Sequence, residues 1–204
     1  MDNELLQSYQ DAVWIAKTLF QKGTVTGSAA NISFRCGDSV YISQSGSIFG
    51  LLSEKSFAQV DLNGQPVNGG RPSKELPMHL TLYREFPSVK AVIHTHSFYS
   101  TIWSTLPFVN PADAIPEDTP YLKMQLGAIR LVGYHKPGSE ELFEAFRKAL
   151  GNTAGYLLKN HGPIVGGSSL LDAFAKIEEL ETSAKVAWHL HRDGNFAAGP
   201  DGDT

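Results

Sequence analysis

A chain of 204 residues, 42% of them hydrophobic and 19% charged, is long enough for one domain with a substantial core. Its net charge of −4 and the lack of any basic block exclude general nucleic-acid binding. Its apolar runs are only a few residues long, too short to span a membrane, and its acidic start, Met1-Asp2-Asn3-Glu4, is wrong for a signal peptide, so a cytoplasmic protein is expected.

In chain order, residues 4–21 carry Leu5, Tyr9, Ala12, Val13, Ala16 and Phe20 on one stripe, which predicts an amphipathic helix ended by Gly23. Short strands are predicted over Asn31 to Arg35 and Val40 to Ser43, joined by a turn at Gly37-Asp38. Cys36 lies between them. As the only cysteine it can form no internal disulfide, which fits a reducing compartment, and it has no helix start or obvious base beside it to activate the thiol. Ser53 suits the cap of a short helix, Asn63-Gly64-Gln65 a hairpin turn and Asn68 to Pro72 a loop. A helix is predicted from about Ser73 to Arg84, with Glu75 and His79 four residues apart on one face.

A strand over 89–95 follows, then a helix from Ser97 to about Leu106. Residues 107–120 hold four prolines and read as a loop. Ile129 to Tyr134 is a strand candidate, Ser139 caps a helix over 140–150, and Tyr156 to Lys159 and Pro163 to Val165 are short strands. The last helix, 169–192, has the stripe Leu170, Phe174, Ile177, Ala184 and Trp188. Glu181 interrupts it and reads as a helix-edge position, with a partly buried, paired carboxylate as the alternative. The Gly/Asp/Pro-rich residues 197–204 are expected to be a disordered tail. Strands outnumber what a helix bundle needs and helices lie at both ends. A three-layer α/β arrangement around a mostly antiparallel sheet follows, with no repeat and no linker.

The chemistry concentrates in Ala91-Val92-Ile93-His94-Thr95-His96 and Leu157-Leu158-Lys159-Asn160-His161-Gly162. Alternate residues of a strand share a face, so His94 and His96 can present two imidazoles side by side. His161, also after an apolar run, can complete a trio suited to Zn²⁺ or a similar divalent ion. Spacing alone leaves ordinary strand-end histidines equally open.

Three polar segments suit an oxyanion: Thr26-Gly27-Ser28-Ala29-Ala30-Asn31, Ser43-Gln44-Ser45-Gly46-Ser47 and Pro72-Ser73-Lys74-Glu75. Small residues let backbone N–H groups come close, and hydroxyls and the Lys74 ammonium add donors. Each alone also reads as a plain turn. Glu75 is the carboxylate placed for general acid/base work, although the pattern alone gives it a helix-dipole role.

Together, Gly27-Ser28-Ala29-Ala30-Asn31-Ile32-Ser33, Ser45-Gly46, Ser73-Lys74-Glu75 with His79, His94-Thr95-His96-Ser97 and Asn160-His161-Gly162 resemble the class II aldolase/adducin family, in the family's order and over about residues 5–190. The resemblance implies a single α/β/α catalytic domain over residues 1–196 and a homotetramer with active sites between subunits. It implies Zn²⁺, or another divalent ion such as Mn²⁺ or Co²⁺, on His94, His96 and His161. Glu75 matches the catalytic glutamate and can also ligate the ion. Ser28, Asn31, Ser45, Gly46, Ser73 and Lys74 fall on the phosphate contacts. Ala30 departs from the pattern, because glycine is usual there.

Within the family, Asp118-Thr119-Pro120-Tyr121, Tyr134-His135-Lys136-Pro137-Gly138 and the Ser73-Lys74-Glu75 loop look most like the 3-oxo-tetronate 4-phosphate decarboxylases. That implies loss of CO₂ through a metal-stabilised enediolate, with Glu75 protonating the carbon to give dihydroxyacetone phosphate. Tyr121 is the nearest match to a catalytic tyrosine of the sugar-phosphate aldolases. A fuculose-phosphate-like aldolase, a dehydratase or an epimerase is the alternative, since a retro-aldol step makes the same enediolate. A non-catalytic adducin-like binding module is a third reading. It is expected to have lost metal ligands, and this chain keeps all three.

Overall fold

The computed structural model describes residues 3–107 and 109–192. Seven strands form one sheet in the order β3-β2-β1-β4-β7-β6-β5. They are β1 (Ala30–Cys36), β2 (Ser39–Ser43), β3 (Phe57–Asp61), β4 (Ala91–Thr95), β5 (Arg130–Val132), β6 (Gly155–Leu158) and β7 (Gly162–Gly167). Every neighbouring pair is antiparallel except β5 and β6, which are parallel. The helices are α1 (Asn3–Gln21), α2 (Leu76–Glu85), α3 (Phe98–Thr105), α4 (Pro120–Leu126), α5 (Glu140–Ala149) and α6 (Leu170–His191).

Strand alternation builds the layers. Ile32, Phe34, Ile93, Leu157 and Val165 point to one face and pack with Ile15 and Leu19 of α1, Trp103 of α3, Leu122 of α4 and Ile177 and Leu180 of α6. Val40, Ile42, Val92, Tyr156 and Ile164 point to the other face, against Met78, Leu82 and Tyr83 of α2 and Leu142 and Phe146 of α5. The result is the expected α/β/α sandwich around a mostly antiparallel sheet.

Several elements differ from expectation. The strand β3 was not anticipated; its short stretch before Asn63-Gly64 lacks a clear two-residue alternation, and pairing with β2 creates it. The helix expected from Ser73 starts at Leu76. Ser73 is held outside it by an N–H donated to the Ser43 carbonyl at 3.2 Å, and Glu75 takes the cap position. A further helix, α4, starts at Pro120, whose fixed φ suits a first helical position, so the proline-rich loop ends in a helix start. The strand expected over Ile129 to Tyr134 shrinks to Arg130–Val132. Glu181 is the paired carboxylate rather than a helix-edge residue. It accepts hydrogen bonds from the N–H groups of Tyr99 (2.8 Å) and Ser100 (2.9 Å) and from the Ser100 hydroxyl (2.7 Å), closing the start of α3. Among the described residues, no helix is long and apolar enough to cross a membrane. The expected tail, 197–204, lies outside the described residues.

Candidate active site

The middle of the sheet sets the site. In β1 and β4, Asn31 stands opposite His94 and Ala30 opposite Thr95. Both side chains of the Asn31–His94 pair lean to the α2 face, where Glu75 caps the helix. The strand ends at Thr95, so His96 projects from the chain just beyond it, fixed by its N–H donating to the Ala29 carbonyl at 3.2 Å. His161 enters from the turn before β7. Asn160 takes a left-handed φ of 57°, which asparagine tolerates. Gly162 passes so close to β4 that a Cβ there would stand 2.3 Å from the Thr95 carbonyl oxygen. The Asn-His-Gly order is therefore what lets His161 approach the other two.

The three rings lie with centroids 4.5–5.1 Å apart, and one nitrogen of each falls within 4.8 Å of the others. His94 Nδ1–H donates to the Pro163 carbonyl at 2.8 Å, which leaves its Nε2 bare. That lone pair faces His161 Nε2 and Glu75 Oε2, each at 3.3 Å, and His161 Nε2 is 3.3 Å from Glu75 Oε1. Lone pairs this close repel unless a cation or a proton sits among them, so the donor set fits a divalent ion. On the far side of its ring, His161 Nδ1 is buried with no partner among the described residues.

Titration supports the same picture. Burial, helped by His161 and Lys74 and opposed by Glu75, pushes His96 down to about 4. Burial, His94 and Lys74 push His161 down to about 4, again against Glu75. Burial also lowers His94. All three imidazoles are thus neutral at neutral pH and need lose no proton to bind a cation. Burial works to raise Glu75, but His94, His161 and the Asn31 amide outweigh it and hold the carboxyl at about 2. Glu75 is ionised.

The polar loops meet this cluster in one cavity of about 310 Å³. Ser28, Asn31, Ser45, Gly46, Ser73, Lys74, Glu75, His96 and His161 all line it. The loops are knitted together: Ser45 N–H donates to the Arg71 carbonyl at 3.0 Å, and the Ser73 hydroxyl accepts from the Glu75 N–H at 3.3 Å. Gly46 takes a φ of 80°, which few other residues adopt. Ala30 also lines the cavity, so a methyl is accommodated where the family pattern has glycine. Asn31 is more occupied than expected, because its amide donates to Glu75 and accepts from His79. Gln44 and Pro137, read in the sequence only as parts of longer segments, line the cavity too. Gly138 beside Pro137 supports Lys74: a Cβ there would meet Lys74 Cδ at 2.9 Å.

Tyr121 is not brought to this cavity by its own chain. It sits on α4, 58% exposed, and is not among the lining residues.

Residues 10–188 match the family model described as "Class II Aldolase and Adducin N-terminal domain". The chain belongs to the class II aldolase and adducin family. It is 38% identical over 181 residues to 3-oxo-tetronate 4-phosphate decarboxylase of Pectobacterium atrosepticum, covering 88% of this chain and 83% of that one. It is also 38% identical over 172 residues to L-fuculose phosphate aldolase of Methanocaldococcus jannaschii, covering 84% and 91%. The crystal structure of YgbL from Escherichia coli superposes with a TM-score of 0.89 at 35% identity, over 92% of this chain and 91% of that one. The class II aldolase family is metal-dependent, and the histidine trio is this chain's group of possible ligands.

Proposed function

We propose that this protein is a metal-dependent lyase that decarboxylates a 3-oxo-tetronate 4-phosphate to dihydroxyacetone phosphate and CO₂. The observation that carries the reading is one cavity in which three hydroxyl-bearing loops, one with Lys74, meet His96, His161 and Glu75, with His94 buried 3.3 Å from both His161 and Glu75. Relatives named for this reaction, 38% identical over most of the chain, support the choice of substrate. Aldolases acting on fuculose phosphate are equally identical, which keeps a retro-aldol reaction as the second reading.

His94, His96 and His161 would hold the ion, with Glu75 as a fourth ligand before substrate enters; zinc is our choice for this nitrogen-rich set, with Mn²⁺ or Co²⁺ as alternatives. When bound, the ion supplies a Lewis acid for the charge that builds on the 3-oxo oxygen as CO₂ leaves. Ser28, Ser45, Gly46, Ser73 and Lys74 hold the phosphate, with Asn31 engaged instead by Glu75 and His79, and that remote binding energy orients the reacting bond. Ionised Glu75 takes the proton of the 2-hydroxyl and returns it to C2 once CO₂ has gone. Solvent makes good the one proton the reaction consumes.

We further propose a homotetramer in the cytoplasm whose sites lie between subunits, with Tyr121 reaching the cavity of a neighbouring copy. The exposure of Tyr121 and of Met124 on the same short helix supports this. The test of the central reading is product analysis. Purified, ion-loaded protein given the 3-oxo acid phosphate should release CO₂ and dihydroxyacetone phosphate in equal amounts. Aldehyde release from a sugar phosphate, with no CO₂ from the acid, would favour the aldolase.

A further inference from the structure

Behind Glu75 runs a buried line of four polar side chains. Asn31 Nδ2 donates to Glu75 Oε2 at 2.9 Å. Asn31 Oδ1 lies 2.5 Å from His79 Nε2, His79 Nδ1 lies 2.7 Å from Ser33 Oγ, and Ser33 Oγ lies 2.7 Å from the Tyr83 hydroxyl. His79 and Ser33 are fully buried and Tyr83 nearly so. The line exists because two periods match. Asn31 and Ser33 are two apart on β1, about 6.6 Å at strand rise. Glu75, His79 and Tyr83 are four apart along α2, about 6 Å at helix rise. The strand residues therefore fit between the helix residues.

Its polarity is fixed from one end. Asn31 Nδ2 faces Glu75 Oε2 and Asn31 Oδ1 faces His79 Nε2, and an amide oxygen can only accept. His79 Nε2 must then carry a hydrogen. Burial, together with His94 and against Glu75, pushes His79 down to about 3, so it is neutral and its Nδ1 is bare. Nδ1 takes the one Ser33 proton, and Ser33 in turn accepts from Tyr83.

We propose that His79 is a positioning residue: its Nε2–H holds the Asn31 amide in the one orientation that presents N–H, rather than oxygen, to Glu75, and so aims the carboxylate at the substrate. This rests on Glu75 as the proton-carrying group. With the other His79 tautomer, Nε2 accepts, the amide turns over, and Asn31 Oδ1 faces Glu75 Oε2 acceptor to acceptor. The carboxylate is then pushed off its mark while the phosphate loops and the histidine trio stay in place.

The test combines spectroscopy and kinetics on the full-length, ion-loaded protein. Nitrogen-15 NMR of the wild type should show His79 protonated on Nε2 and bare on Nδ1. His79→Gln, whose amide can still donate near the Nε2 position, should keep kcat within a few-fold. His79→Asn, which reaches only the Ser33 side, should lose kcat by about 10- to 100-fold with KM and bound metal little changed. In Ser33→Ala, kcat should fall in proportion to the loss of the Nε2–H tautomer, a readout that needs no substitution at His79. A wild-type Nδ1–H tautomer overturns the proposal, as does equal loss of kcat in the Gln and Asn variants or a loss in Ser33→Ala with the tautomer intact. A wild-type protein that shows the Nε2–H tautomer but does not turn over the acid leaves the positioning geometry standing and removes the proposed reaction instead.

Discussion

Glu75 has both its oxygens committed to site groups, Oε2 to Asn31 and His94 and Oε1 to His161. Glu75→Gln keeps the shape and removes the transferable proton. A fall in kcat of about 10²- to 10⁴-fold is expected, with phosphate affinity kept and the ion still held by the three histidines, metal analysis being the control because Glu75 is also a proposed ligand. Near wild-type turnover in a metal-replete variant would move proton transfer to another group, Tyr121 first. Gly162 supplies a second test at this scale. A methyl there collides with the Thr95 carbonyl, so Gly162→Ala should displace His161 and sharply weaken metal binding, measured by metal analysis after dialysis. Retained stoichiometric metal would mean that His161 is not needed for the ion. The histidines were legible in the sequence because a strand fixes the spacing of His94 and His96 and an Asn-His-Gly turn is a local signal. The Asn31–His79 contact was not legible. Residues 48 apart meet only through the packing of α2 on β1, and a buried histidine four after a glutamate looks like any helical pair.

At the scale of elements, α3 is held by another helix. Ser97, at its cap position, makes no side-chain capping bond, and Glu181 of α6 takes that role with three hydrogen bonds. Hydrogen bonds to a charged group are worth about 1.5–3 kcal/mol net. Glu181→Ala should therefore lower the unfolding free energy by about 2–3 kcal/mol in chemical denaturation. Glu178→Ala, which removes only a pair with the half-exposed Lys22, should cost less than about 1 kcal/mol. Equal costs would contradict the assigned role of Glu181. Helix α2 gives a pH test. His79 is neutral in the folded protein down to about 3 but gains a proton below its ordinary 6.5 when unfolded. The unfolded chain thus binds more protons in that window. Stability is complete above about pH 6.5 and falls on acidification, by up to about 1.4 kcal/mol per pH unit from this residue. His79→Gln should flatten the slope between pH 6 and 4 by up to one proton, and an unchanged slope would mean that His79 is not buried neutral. Periodicity made α1 and α6 readable, whereas α5 was readable from its Ser139 cap. It failed for β3, which is regular only beside β2, and for α4, which follows a run of prolines. It also placed Glu181 wrongly, because its partners lie 82 and 81 residues away.

For the whole molecule, the layers were readable and the assembly was not, since no periodicity encodes which exposed residues meet a second copy. Tyr121 makes that testable. If its hydroxyl serves a neighbour's cavity, Tyr121→Phe and Glu75→Gln each impair activity, but unfolding and refolding them together should restore about a quarter of the sites, those pairing an intact Glu75 with an intact Tyr121. A mixture no more active than its parts would show that the two residues do not work across copies. The central claim, decarboxylation at the His94–His96–His161–Glu75 cluster, is tested most directly by following CO₂ from 3-oxo-tetronate 4-phosphate with purified protein, before and after removal of divalent ions. Equimolar CO₂ and dihydroxyacetone phosphate, lost on chelation and restored by Zn²⁺, Mn²⁺ or Co²⁺, is the predicted result. CO₂ release that survives complete metal removal, or no release from the acid while a sugar phosphate is cleaved to an aldehyde, would contradict it.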